Sequence, residues 1–162
     1  MLEHMNFPYK NILVVCSVNT ARSPMVVGFL KEILKDNKEI KICSGGISSN
    51  ARDGMLISLD AILAMKEAGI DLPKESLSID LKKHSYLIED ADLILTLTEK
   101  HITELHHFIG KNSKNILTLK QFAGECGDIE DPSMKGLEGF RRARDEIYEA
   151  LSKGMKKFGH SS

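Results

Sequence analysis

The segment from Asn11 to Pro24 constrains the fold more than any other part of the chain. It reads Asn-Ile-Leu-Val-Val-Cys-Ser-Val-Asn-Thr-Ala-Arg-Ser-Pro. An apolar run stops at Cys16, and Arg22, Ser23 and Pro24 follow a five-residue loop. Beyond them Met25, Val26, Phe29, Leu30, Ile33 and Leu34 recur at helical spacing and predict one buried helix face. A strand therefore runs through a tight loop into a helix. The alternation continues along the chain and predicts a parallel sheet covered on both faces.

This order of parts suits an oxyanion with a nucleophile beneath it. Backbone amides from Ser17 through Val18, Asn19, Thr20 and Ala21 to Arg22 would curl around a tetrahedral anion, with the helix N-terminus aimed at the same point. That field favours thiolate over thiol at Cys16. Arg22 adds a planar fork for two phosphoryl oxygens. The Ser23 hydroxyl can reach the sulfur and ease its departure in a second step. Pro24 is expected at the first helical position, where no backbone donor is needed.

The other elements follow from periodicity. Ile12 to Cys16 is the first strand and Glu39 to Ser44 the second. Gly54 to Ala68 is expected to be a helix with Leu59, Ile62 and Leu63 inward and Gly69 as its stop. Asp80 opens a short helix with Leu81, His84, Leu87 and Ile88. Leu93 to Leu97 is apolar enough for a central strand. Thr98 caps the next helix, which ends near Gly110. Asn115 to Leu119 is the fourth strand. Leu137, Phe140, Ile147, Leu151, Met155 and Phe158 mark a long last helix.

A chain of 162 residues is enough for one domain, here residues 1–162, with 1–9 expected as a flexible N-terminal extension. The net charge of −1 implies no general attraction to nucleic acid or an anionic membrane surface. No apolar run approaches spanning length, and the first residues lack the apolar core of a secretory signal. Cys16, Cys43 and Cys126 make an odd set with no paired spacing. That argues against a disulfide framework and for a reducing, cytoplasmic setting. No cofactor and no metal site is expected. His101, His106 and His107 read as a solvated helix end, and Asp128 and Glu130 as a solvated acidic turn.

The loop resembles the active-site motif of the low-molecular-weight protein tyrosine phosphatase family, Val-Cys-x-Gly-Asn-x-Cys-Arg-Ser-Pro. The likeness extends to Ser44-Gly45-Gly46, to Ala91-Asp92-Leu93-Ile94-Leu95 and to Asp131-Pro132. It implies a flavodoxin-like, doubly wound α/β fold with a four-stranded parallel sheet. In such sheets ligands bind outside the carboxyl ends of the strands. The resemblance implies Cys16 as nucleophile, Arg22 as phosphoryl-binding residue and Asp131 as general acid and base. The loop residues Ser17 to Ser23 would hold the phosphoryl group, and Asn19, Ser23 and Ser44 would support it, with Asn19 bonded to Ser44. The expected partner is a phosphorylated protein or peptide, acted on by a monomer or weak dimer.

Departures from the family pattern are informative. Val18 replaces a glycine, and Ala21 replaces the neighbouring cysteine, so the protective disulfide of many relatives cannot form there. Ser133 replaces an aromatic residue that stacks on tyrosine. Thr20 stands where most members carry a bulky aliphatic residue, and the protein arginine phosphatase branch has threonine. Phosphotyrosine and phosphoarginine therefore both stand as substrates. The alternative activity is thiol-linked arsenate reduction, to which Phe140-Arg-Arg-Ala-Arg-Asp-Glu-Ile bears some likeness. Those relatives carry a cysteine pair after the third strand, where this chain has Thr96-Leu97-Thr98-Glu99. Cys43 and Cys126 are read as inert. A phosphate-binding module without turnover is disfavoured by the joint presence of Cys16, Arg22, Ser23 and Asp131.

Overall fold

The computed structural model describes residues 6–110 and 115–159. Strands β1 (Asn11–Cys16), β2 (Lys41–Gly46), β3 (Leu93–Thr96) and β4 (Ile116–Thr118) form one parallel sheet in the order β2-β1-β3-β4. Among the described residues six α-helices and one 3₁₀ turn (Leu81–Lys83) connect and cover it: α1 (Arg22–Ile33), α2 (Leu59–Glu67), α3 (Tyr86–Asp90), α4 (Glu99–Ile109), α5 (Leu119–Phe122) and α6 (Gly136–Lys156).

The central strand shows why the sheet is covered twice. Side chains alternate across a strand. Ile12, Val14 and Cys16 enter a core with Met25, Leu30, Met65, Ile147 and Leu151, from α1, α2 and α6. Leu13 and Val15 enter the other, with Leu81, Ile88, Ile94 and Leu105. All five residues from Ile12 to Cys16 are buried, as a strand between two layers requires. The chain leaves β1 for β2 on one side and returns to β3 on the other. This reversal opens a crevice at the carboxyl ends of β1 and β3.

Four expectations need correction. Residues 6–9 are not a loose extension. Phe7 is buried, packs edge-on against Tyr9 and Phe158, and the Asn6 amide donates to Phe158 O at 3.0 Å. Residues 1–5 lie outside the described residues. The second helix begins at Leu59, not Gly54, because Gly54 sits in a turn at φ 87° and Leu56 then bridges Leu77. The shift turns Leu59 (67% exposed) and Leu63 (40%) outward, and Ala61, Ala64 and Met65 face the core instead. α1 begins at Arg22, so Pro24 is its third residue rather than its first. The cost is still nil, because the first four helical amides have no intrahelical acceptor. Finally, β2 runs two residues further than its alternation suggests, through Gly45 and Gly46. A Cβ on Gly46 would lie 2.6 Å from Ser17 O and 2.9 Å from Val18 Cα. Only glycine lets the loop after β1 rest on the end of β2.

Candidate active site

Cys16 closes β1 and is buried. Its sulfur receives the Asn19 amide at 3.2 Å and lies 2.9 Å from Ser23 Oγ. The donor in the second contact follows from the neighbours. Asn19 Oδ1 accepts the Ile79 amide at 2.9 Å, which fixes the orientation of the Asn19 side chain. Both hydrogens of its Nδ2 are then committed, to Ser23 Oγ at 2.8 Å and Ser44 Oγ at 2.9 Å. Ser23 therefore accepts from Asn19 and spends its own hydrogen on Cys16 Sγ. Two donors, the Asn19 amide and the Ser23 hydroxyl, therefore converge on the sulfur.

Asn19 adopts φ 65°, the left-handed region that asparagine tolerates better than most residues. The conformation is held by its side-chain bonds, so strain at the loop is offset by buried polar contacts. Among the described residues, Asn19 and Met134 are the only non-glycine residues at positive φ. Val18 thus takes the place of the family's glycine without needing a glycine conformation. Thr20 and Ala21 are half-buried, and Thr20 O accepts the Ser58 amide at 2.8 Å.

Arg22 is 6% exposed. Its Nη1 donates to Ile129 O at 2.9 Å, and its Nη2 stands 4.0 Å from Asp131 Oδ2. The helix it opens has no side-chain N-cap, so no side chain competes for its first amides. Asp131 sits in the loop after α5, with Oδ1 accepting the Ser133 amide at 3.0 Å. Burial pushes this carboxyl up, but the Ser133 bonds, Arg22 and Lys135 outweigh it and hold the group below the ordinary carboxylate range. A bound phosphoryl dianion would oppose that bias, because a nearby like charge disfavours ionisation.

The acidic neighbours serve structure. Asp128 Oδ1 accepts the Glu99 amide at 2.9 Å, at the start of α4. Glu130 pairs with Arg142 at 3.2 Å and Lys135 at 3.7 Å. Asp128 is exposed, as expected of a solvated acidic turn, while Glu130 is half-buried under its two cations.

One site residue escaped the sequence reading. His101 is not part of a solvated helix end: it is 1% exposed, and its Nε2 lies 2.9 Å from Ser17 Oγ. Its Nδ1 accepts the Thr98 amide at 3.2 Å, closing a capping box with Thr98 Oγ1. Burial, with Arg22 nearby, pushes its pKa down to about 4. The available signal was the spacing Thr98-x-x-His101, with a polar acceptor at the third helical position.

Cys43 and Cys126 are exposed. Cys16 is in register with Gly46, so Cys43 lies three residues back along the neighbouring strand. That is roughly 10 Å of strand, beyond disulfide reach without backbone movement. A cavity of about 430 Å³ lies behind the loop, lined in part by Asn19, Ser44, Cys43 and Ile79. Cys16, Arg22 and Asp131 do not line it, so it offers no path for phosphorus to the sulfur. Among the described residues no group of three or more His, Cys, Asp or Glu could hold a metal ion. Among them no helix is long and apolar enough to cross a membrane.

Known proteins resemble this chain in sequence and in fold. The chain is 34% identical to a protein-arginine-phosphatase of Geobacillus stearothermophilus, over 93% of this chain and 96% of that one. It is 30% identical to the low molecular weight protein-tyrosine-phosphatase PtpB of Staphylococcus epidermidis, over 88% and 94%. It is 32% identical to arsenate reductase 2 of Staphylococcus haemolyticus, over 88% and 93%. Among solved structures, a cysteine-to-serine mutant of the YwlE arginine phosphatase, its active-site serine phosphorylated, superposes with a TM-score of 0.80 at 27% identity, over 93% and 97%. The model of the low molecular weight phosphotyrosine protein phosphatases matches residues 11–161, and the chain belongs to that family.

Proposed function

We propose that this protein hydrolyses phosphorylated side chains of proteins through a phosphorylated Cys16. The observation that carries the reading is the pair of hydrogen bonds from Asn19 N and Ser23 Oγ onto a buried Cys16 Sγ, beside the guanidinium of Arg22. Cys16 thiolate attacks phosphorus, and the bond from phosphorus to the leaving oxygen or nitrogen breaks. Protonated Asp131 gives its hydrogen to that leaving atom. Arg22 and the amides from Ser17 to Ser23 hold the three equatorial oxygens. Water then attacks the phosphorus, Asp131 carboxylate takes its proton, and the sulfur leaves as thiolate with the Ser23 hydroxyl donating to it. The products are the dephosphorylated side chain and inorganic phosphate. The phosphorylated serine in the arginine phosphatase mutant supports this route.

Phosphoarginine is the substrate that Thr20 favours, because a small polar wall suits a planar guanidinium. The exposed apolar rim favours phosphotyrosine as the second reading. Leu56 is 65% exposed, close in sequence to the Ser58 amide that bonds Thr20 O, and could hold an aryl ring. The separation of Cys43 from Cys16 disfavours arsenate reduction. A reducing cytoplasm, with the protein a monomer or weak dimer, fits the free cysteines.

The test is kcat/KM for phosphoarginine and phosphotyrosine peptides with wild type and Thr20→Ile, without added metal, and with an arsenate plus thioredoxin control. Thr20→Ile should shift the ratio toward phosphotyrosine by about 10-fold or more. An unchanged ratio would remove Thr20 as the specificity residue. Thioredoxin-dependent arsenate turnover in place of phosphatase activity would replace the reading altogether.

A further inference from the structure

The turn between β3 and α4 touches both halves of the site. Leu97 O accepts the Ile129 amide at 2.9 Å, and the Glu99 amide donates to Asp128 Oδ1 at 2.9 Å. Both partners belong to the loop that carries Asp131. Two residues beyond Glu99, His101 reaches Ser17, the first residue after the nucleophile. The Ser17 carbonyl is itself fixed by the Ser48 amide at 3.1 Å.

The hydrogen on the His101 ring can be placed by elimination. A backbone amide only donates, so Nδ1, facing Thr98 N, carries the lone pair. The single hydrogen of a neutral imidazole is then on Nε2 and is donated to Ser17 Oγ. A protonated ring would set N–H against N–H at Thr98.

We propose that His101 is a positioning residue for this reaction: a neutral imidazole of fixed tautomer that holds the start of the phosphate loop against the turn carrying the acid loop. It touches no reacting atom. It sets the distance between nucleophile and acid, a quantity to which reaction rates respond steeply. Its environment keeps it neutral. Burial first, then Arg22 on α1 and Lys100 on its own helix, disfavour a charge on the ring, opposed by Asp128 and Asp131. The inference rests on the phosphatase reading for its kinetic consequences, but the tautomer does not.

The experiment joins a double-mutant cycle to nitrogen NMR. Wild type, His101→Ala, Ser17→Ala and the double variant are compared on p-nitrophenyl phosphate, with ¹⁵N spectra of the wild-type imidazole. His101→Ala should lower kcat by roughly 10-fold with KM little changed, the effect of one neutral hydrogen bond. Ser17→Ala should lower it similarly, and the double variant no further, because one interaction is being removed twice. His101→Gln is the rescue. Its amide oxygen can close the capping box on Thr98 while its amide nitrogen donates to Ser17, so kcat should largely return. Spectra should show unprotonated Nδ1 and protonated Nε2 at neutral pH. Losses that multiply in the double variant, or a hydrogen on Nδ1, would overturn the proposal. If His101→Ala fails to fold, Ser17→Ala, His101→Gln and the spectra still decide it. A wild-type protein that hydrolyses no phosphate substrate would overturn the functional reading, and the spectra would still test the tautomer.

Discussion

The two loops that build the site are held in opposite ways. From Cys16 to Ser23 the side chains of Ser17, Asn19, Arg22 and Ser23 are all committed to protein partners. Asn19 alone ties together Cys16, Ser23, Ser44 and Ile79, and Gly46 lies against the backbone of Ser17 and Val18. The loop from Gly124 to Lys135 is anchored at Asp128 and Ile129, which bond the β3–α4 turn and Arg22. Beyond that anchor it opens. The Asp131 side chain is 60% exposed, and Met134 is fully exposed at φ 65°. The contrast follows from the chemistry. A nucleophile and oxyanion cradle must meet the same phosphoryl group each time. An acid must reach a leaving atom whose side chain comes from another protein.

If that contrast is right, damage to the rigid half should be severe for every substrate. Arg22→Lys should lose on the order of 10²–10³-fold in kcat, because a point charge cannot replace a fork already fixed by Ile129 O. The loss should be the same for good and poor leaving groups. Steady-state rates near wild type would show that Arg22 does not grip the transition state.

The open half should behave conditionally. Asp131→Asn should lose roughly 10²-fold on a poor leaving group and clearly less on p-nitrophenyl phosphate, whose leaving oxygen needs little protonation. Equal losses on both would mean that Asp131 places the substrate rather than moving a proton.

Support of the rigid half should be visible as stability. Ser44→Ala leaves one Asn19 amide hydrogen without its acceptor in a part-buried place. It should cost about 1 kcal/mol in urea unfolding and a few-fold in kcat. Glu130→Gln, which weakens ion pairs to the exposed Arg142 and Lys135, should change stability by about 0.5 kcal/mol or less. Equal costs would erase the distinction between the two loops.

How much of this was legible in the sequence depended on distance along the chain. The β1–loop–α1 unit, the Asn19–Ser44 bond and the strand order could be anticipated, because short motifs encode them or the doubly wound fold forces them. His101 could not, since its partner Ser17 is 84 residues away and they meet only once β1 and β3 lie side by side. Leu59 and Leu63 were misplaced for a local reason. Apolar residues at helical spacing do not reveal where the helix begins, and here the turn at Gly54 and the Leu56–Leu77 bridge come first. Phe7 was missed because its cover, Phe158, comes from the far end of the chain.

His101 also makes a pH prediction. Folding lowers its pKa from the ordinary 6.5 to about 4, so the unfolded chain binds a proton in that window and the native state does not. Stability from this group is present above about pH 6.5 and is lost as pH falls through about 4, to an extent on the order of 3 kcal/mol. Unfolding midpoints for His101→Gln should fall less steeply over that range. Parallel pH dependences would show that the buried ring is not what senses acid.

The central claim is that Cys16 carries the phosphoryl group during turnover. Acid quench of the protein within the first turnovers on p-nitrophenyl phosphate, followed by peptide mass spectrometry, tests it directly. The account predicts one added phosphoryl group on the peptide containing Cys16, absent from Cys16→Ala and accumulating when Asp131 is replaced by Ala. Turnover without any phosphorylated Cys16 peptide, or with the phosphoryl group on another residue, would contradict it.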